Sequence, residues 1–229
     1  MNLNLGAVGY ALLGGVLPAL VWLLFWLRED KKHPEPKNLI LKTFLLGMLS
    51  VALVLPFQKG VENLFPGITF TTLFLWALLE EVFKFGAGYF GGLHTNEDNE
   101  PIDPIIYLIT ASLGFVALEN TLFILGPLLG NNAVETVITG NLRFIGASLL
   151  HVASSGFVGV AIAFSFYSSR TKKWFAVILG LLFAVIFHFA FNALILHLGS
   201  YGTTVAFVGV WITIALLLLT FERVKSIAR

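Results

Sequence analysis

The chain has 229 residues, 57% of them hydrophobic and 12% charged, with a formal net charge of +1. A soluble domain carries about 25% charged residues, so this composition, with its repeated apolar runs of about 20 residues, points to a polytopic membrane protein without a sizeable soluble domain. The near-neutral charge gives no case for nucleic acid, and the lack of cysteine excludes a disulfide framework, a thiolate metal site and a thiol nucleophile.

Seven spans are predicted, at about 6–27, 39–57, 69–90, 105–129, 141–167, 174–197 and 202–221. Together they make one all-α transmembrane helical bundle over residues 1–229. Met1-Asn2-Leu3-Asn4 lacks the basic segment of a cleaved signal peptide, so the first run is expected to remain as a span. Basic residues fall in the first loop (Arg28, Lys31, Lys32, Lys37), after the fifth span (Arg170, Lys172, Lys173) and in the tail (Arg223, Lys225, Arg229). With seven spans these regions share one side, and an excess of Lys and Arg marks the cytoplasmic side. The N-terminus is therefore expected outside and the C-terminus in the cytoplasm. One loop on that side carries Glu97, Asp98, Glu100 and Asp103 with no Lys or Arg, and for Glu97, Asp98 and Glu100 it reads as a solvated loop. The glycine pairs Gly86/Gly88 and Gly156/Gly159 read as close helix contacts.

The third span holds Glu80, Glu81 and Lys84. Each ionised group at the centre of a bilayer costs roughly 2.5–3.5 kcal/mol on insertion scales, so the three must pair, protonate or face water. Glu80 and Lys84 are four residues apart and share a helix face, while Glu81 points about 100° away. One glutamate can thus pair with Lys84 and leave the other aimed elsewhere. A purely structural ion pair is the competing reading.

Three further spans carry polar residues: Glu119 and Asn120 in the fourth, His151 with Ser154 and Ser155 in the fifth, His188 and Asn192 in the sixth. Counted from the predicted outer end of each helix, Glu80, Glu119, His151 and His188 lie roughly 14–17 Å deep. The spans alternate in direction, so equal depth is not built into the count, and one cluster near the midplane is expected. Spans one, two and seven hold nothing comparable and read as scaffold. Singly, each residue has a packing explanation: Ser154 and Ser155 as small helix-contact residues, Glu119 as a partner for Lys84, Arg143 as a side chain snorkelling to the interface. Jointly, two to three carboxylates, two histidines and an asparagine suit peptide hydrolysis. A carboxylate can take a proton from attacking water, and His and Asn N–H groups can stabilise an oxyanion.

Four motifs then match a family in order and spacing: Glu80-Glu81-x-x-Lys84, Phe115-x-x-x-Glu119-Asn120, Arg143 eight before His151, and His188-x-x-x-Asn192. They resemble the PrsW family of intramembrane proteases, over a core from about 78 to 195. That family is similar to the CAAX prenyl endopeptidase and bacteriocin-processing group, which has His at the position of Glu119. The chain departs at Pro104, where a small residue often follows the loop Asp, and at Leu108, where Gly often follows Tyr107. Both changes lie at the loop and helix entry, away from the polar cluster.

The resemblance implies a glutamic-type intramembrane endopeptidase in a prokaryotic plasma membrane. Its substrate would be a membrane-anchored protein such as an anti-sigma factor, cut in a site-one step. The catalytic candidates are Glu80, Glu81, Glu119, His151, His188 and Asn192, supported by Lys84, Asn120 and Arg143. No cofactor is expected. A zinc site made of Glu80 or Glu81, His151 and His188 is the alternative, since two His and a Glu are a known catalytic zinc set, although no HExxH pattern is present. A CAAX-like processing peptidase, a proton or ion carrier and a non-catalytic membrane scaffold are the remaining alternatives.

Overall fold

The computed structural model describes residues 5–29, 33–130 and 132–227, so Met1 to Asn4, Lys31, Lys32 and Arg229 lie outside the described residues. Its helices are α1 (Leu5–Glu29), α2 (Lys37–Leu64), α3 (Phe70–Gly88), α4 (Asp103–Leu129), α5 (Ala133–Leu142), α6 (Ser148–Phe164) and α7 (Arg170–Val224). A wider π turn, Tyr89–Leu93, extends α3, and another, Arg143–Ala147, joins α5 to α6. Among the described residues there are no strands.

Among the described residues, five stretches are long and apolar enough to cross a membrane: α1, α2, α4, α5 joined to α6, and α7. At about 1.5 Å per residue, the 55 residues of α7 would reach far beyond a hydrocarbon core about 30 Å thick. Gly199 resolves this. Its backbone has φ 56° and ψ −136°, a combination open only to glycine, and the chain reverses there. Phe191 and Phe207 accordingly stack 6.1 Å apart, and Gly202 packs against the Leu194 carbonyl. α3 is also span-length once its π turn is included; Glu80, Glu81 and Lys84 set it apart from the five apolar stretches.

α4 is the axis of the bundle. Every residue from Asp103 to Ala117 is buried, as expected of a helix that is apolar all round. Pro104 sits in its first turn, where the missing N–H costs nothing. α1, α2 and α6 pack on α4, and α3 bridges α2 and α7. The outer faces present leucines such as Leu13, Leu17 and Leu24 of α1, which suit lipid. Gly88, Gly156 and Gly159 do make close helix contacts, against Leu108, Leu217 and the Ile105 backbone, whereas nothing lies within 4 Å of a side chain placed at Gly86.

Two boundaries differ from the sequence reading, and both bear on the site. The fifth predicted span starts at about 141, but α5 begins at Ala133. Asn132 caps it, accepting the Glu135 N–H at 3.1 Å and donating to the Glu135 carboxylate at 2.7 Å. α2 does not stop near Phe57; it runs through Pro56 to Leu64 and carries Gln58 inward.

Lys225 bonds Glu29 at 3.0 Å, His33 lies 3.5 Å from Glu100, and the Tyr107 hydroxyl donates to Glu35. The first loop, the acidic loop and the chain's end therefore share one face of the bundle.

Candidate active site

The third helix starts cleanly. Thr69 caps it by accepting the Thr72 N–H at 3.1 Å. Glu80, Glu81 and Lys84 fall on its buried side. Lys84 Nζ donates to Glu81 Oε1 at 2.6 Å, so Lys84 pairs with Glu81 rather than with Glu80, its helix-face neighbour. Lys84 also reaches His151 Nδ1 at 2.8 Å and Ser154 Oγ at 3.5 Å.

An ammonium has only donors, so His151 Nδ1 accepts from Lys84 and its Nε2 carries the proton. That Nε2 lies 3.2 Å from Glu119 Oε2. His188 Nδ1 sits 2.7 Å from Glu81 Oε1 and donates to it, because an ionised carboxylate only accepts. His188 Nε2 is left with its lone pair, 3.7 Å from Glu80 Oε2. The two imidazoles stand edge to face at 4.9 Å.

Glu119 does not reach Lys84. It is held by Arg143, which donates to its carboxylate. Arg143 also donates from Nε to Asn120 Oδ1 at 2.5 Å and lies 3.9 Å over the Phe123 ring. Asn120 in turn donates to Ser148 Oγ at 3.2 Å. The expectation that Arg143 snorkels to the interface fails here: the π turn Arg143–Ala147 re-aims it into the bundle, where its side chain is only 15% exposed.

The result is an imbalance of charge. Glu81 has Lys84 and Glu119 has Arg143, while Glu80 has no cation beside it among the described residues. Its Oε1 accepts from Gln58 Nε2 at 2.8 Å; its Oε2 is buried with no hydrogen-bond partner.

Two cavities meet at this carboxylate. One, of about 350 Å³, is lined by Glu80, Glu119, Arg143, His151, His188 and Asn192, with apolar walls from α3 and both halves of α7. The other, of about 430 Å³, runs from Lys59 and Glu62 along α2 to Glu80 and Glu119. Trp76 and Phe123 border both. All six candidate catalytic residues thus lie in one cluster, with Asn192 on the cavity wall one turn beyond His188.

A family model described as "PrsW family intramembrane metalloprotease" matches residues 35–220. The chain belongs to the PrsW family. Protease PrsW of Geobacillus kaustophilus is 30% identical over 167 residues, 72% of each chain. The Halalkalibacterium halodurans Protease PrsW is 28% identical over 192 residues, 81% of this chain and 83% of the relative. That of Shouchella clausii is 25% identical over 219 residues, 95% and 96% of the two chains. No solved structure matches the chain. Its activity is therefore that of an intramembrane protease, a hydrolase of peptide bonds.

A metal ion, which the word metalloprotease in the PrsW family description implies, fits the residues present. Glu80, His151 and His188 are buried and offer one ligand atom each, all within 4.8 Å of one another. The unpartnered Glu80 Oε2 and the lone pair on His188 Nε2 are the donors such an ion needs. His151 completes the set only if its Nε2 gives up the proton directed at Glu119, in keeping with the general release of protons on metal binding.

Sequence reasoning missed four contributors in this PrsW chain. Ser154 donates to Glu81 Oε1 at 3.1 Å and so belongs to the polar network. Thr203 and Phe207, beyond the reversal at Gly199, line the 350 Å³ cavity together with Glu80 and His188, so the last span, read as scaffold, borders the cluster. Gln58 comes from α2, likewise read as scaffold; its polarity was the available signal, masked by Pro56 two residues earlier.

Proposed function

We propose that the protein cleaves a peptide bond of a membrane-anchored protein with water activated by Glu80. One observation carries this reading: of the three carboxylates in the cluster, Glu80 alone has no cation beside it among the described residues and keeps a buried oxygen, Oε2, without a partner. A carboxylate locked in an ion pair is a poor base, and the unpaired one is available to take a proton.

Water that donates to both Glu80 Oε2 and His188 Nε2 satisfies two facing lone pairs 3.7 Å apart and turns its own lone pairs to the cavity. Glu80 takes the proton as the water oxygen attacks the carbonyl carbon, then passes it to the departing amine. Glu81 orients His188 through Nδ1, and Lys84 is the counter-charge of Glu81. The Asn192 amide and the Arg143 guanidinium supply donors for the oxyanion. His188 thus serves the water, in place of the oxyanion role expected for it. Glu119 holds His151 and Arg143 in place.

The substrate suggested by the family resemblance is an anti-sigma factor, cut in a site-one step. The N-terminus lies outside and the C-terminus in the cytoplasm of a prokaryotic plasma membrane, on the strength of the Lys and Arg distribution. A core from about 78 to 195 carries the chemistry.

A metal-dependent version is the second reading, favoured by the closeness of Glu80, His151 and His188. Zinc bound there would act as a Lewis acid and lower the pKa of its water. The metal-free version is preferred because Lys84, at 2.8 Å on His151 Nδ1, directs the other ring proton to Glu119.

The test is reconstitution in liposomes with a membrane-anchored substrate. Glu80→Gln should abolish cleavage in folded protein, and full activity in Glu80→Gln would remove the proposal. A strong chelator should leave wild-type cleavage intact; loss restored by added Zn²⁺ would establish the second reading.

A further inference from the structure

We infer that Gln58 is a positioning residue for Glu80, an inference that rests on Glu80 being the reactive carboxylate. Gln58 stands on α2, beyond the proline at which that span was expected to end. Pro56 deprives the Ala52 carbonyl of its helical donor, yet the helix continues for two more turns.

α3 grips Gln58 at two points. The Trp76 indole N–H donates to the Gln58 carbonyl at 3.1 Å, and Gln58 Nε2 donates to Glu80 Oε1 at 2.8 Å. Trp76 and Glu80 are four residues apart on α3, so both bonds come from one helix face. The backbone bond sets where the Gln58 side chain starts, and the amide bond sets the rotation of the Glu80 carboxylate. With Oε1 held, Oε2 can only face inward, toward His188.

The residue type matters as much as the place. A Lys or Arg at 58 would give Glu80 the counter-ion that Glu81 and Glu119 already have, and would trap it as an ion pair. A neutral amide fixes direction without supplying a charge. The neighbouring cation, Lys59, is engaged by Glu62 at 2.8 Å and so does not take that part. Gln58 also walls the 430 Å³ cavity, so its role in orienting Glu80 has to be told apart from a role in substrate contact.

The experiment is steady-state cleavage by the full-length protein in liposomes, with Gln58→Met, Gln58→Ala and Gln58→Lys. Gln58→Met keeps the length of the side chain and removes the donor; Gln58→Ala removes both and suits a helix. Misplacement of a reacting group by about 1 Å can cost on the order of a hundredfold in rate. Both variants should therefore lower kcat at least about tenfold with KM within about twofold and an unchanged melting temperature. Gln58→Lys should lose more than either. An unchanged kcat in Gln58→Met and Gln58→Ala, or a rise in KM alone, would overturn the inference and leave Gln58 as cavity wall. Glu80→Gln run alongside separates the two claims: activity there defeats the reading of Glu80 itself, whereas an inactive Glu80→Gln beside a fully active Gln58→Met defeats only the role of Gln58.

Discussion

Lys84 Nζ lies 2.6 Å from Glu81 Oε1, and both side chains are 1% exposed. The lysine serves the carboxylate three residues before it and leaves Glu80, four before it, without a cation. Breaking a buried pair typically costs about 3–5 kcal/mol, because one charge stays behind uncompensated. Lys84→Met should therefore lower the melting temperature in detergent by about 6 °C or more, at roughly 2–4 °C per kcal/mol for a chain of this size. Adding Glu81→Gln to Lys84→Met should recover part of that loss. An unshifted melting curve for Lys84→Met would show that the pair contributes no stability.

Arg143 ties α4 to the π turn that follows α5, through Glu119 and Asn120 together. A guanidinium is a planar fork that can serve two acceptors at once, whereas an ammonium is a point charge. Arg143→Lys should keep a cation beside Glu119 but let Asn120 go. The expected outcome is near-normal stability with kcat/KM reduced about tenfold, a loss of about 1.4 kcal/mol in transition-state binding. Wild-type kinetics in Arg143→Lys would mean that the fork is not used.

The contacts Lys225–Glu29 and His33–Glu100 gather the basic and acidic loops on one face. The orientation proposed from the positive-inside rule puts that face in the cytoplasm. Because the chain has no cysteine, single cysteines introduced at Ser169 and Asn132 can be read without background. A membrane-impermeant thiol reagent should label Asn132→Cys from outside intact cells and Ser169→Cys only after permeabilisation. Labelling of both from one side would defeat the proposed orientation.

Asp98, in the loop before α4, is pushed up to about 7 by burial first and by the neighbouring Asp103 carboxylate second, with Lys173 opposing. Its folded form holds a proton that the unfolded chain releases near pH 4. Stability should therefore fall as pH rises from about 4 to 7, and stay low above. Asp98→Asn should remove that slope. At pH 8 it should raise the melting temperature by about 2–4 °C, the equivalent of about 1 kcal/mol once the screening of a partly exposed group is allowed for. An equal pH slope in wild type and Asp98→Asn would assign it to another group.

Much of the site was legible because charge in hydrocarbon is expensive, so each buried ionisable residue announces itself. Glu80, Glu81, Lys84, Glu119, His151 and His188 were found that way and lie in one cluster. Pairing was less legible. Helical spacing offered Lys84 both glutamates, and the choice of Glu81 depends on how α3 is rotated against α6 and α7. Arg143 was misread because a π turn cannot be seen in apolar periodicity, and that turn decides whether the side chain points to the interface or to Glu119. Gln58 was hidden by the usual sense of proline as a helix end. In the fold, the first apolar span was read closely, while the far end of α2 was hidden by Pro56 and the start of α5 was set by the Asn132–Glu135 cap rather than by hydrophobicity.

The reversal at Gly199 also bears on how the protein is made. Two membrane-crossing segments joined by a single glycine leave no hydrophilic stretch to be threaded through the bilayer between them. Residues 170–224 would then enter the membrane as one preformed hairpin, released from the insertion machinery together. Phe191 and Asn192 would meet Thr203 and Phe207 at that moment, so one wall of the catalytic cavity is assembled during biogenesis, before the last residues of the chain have found their place.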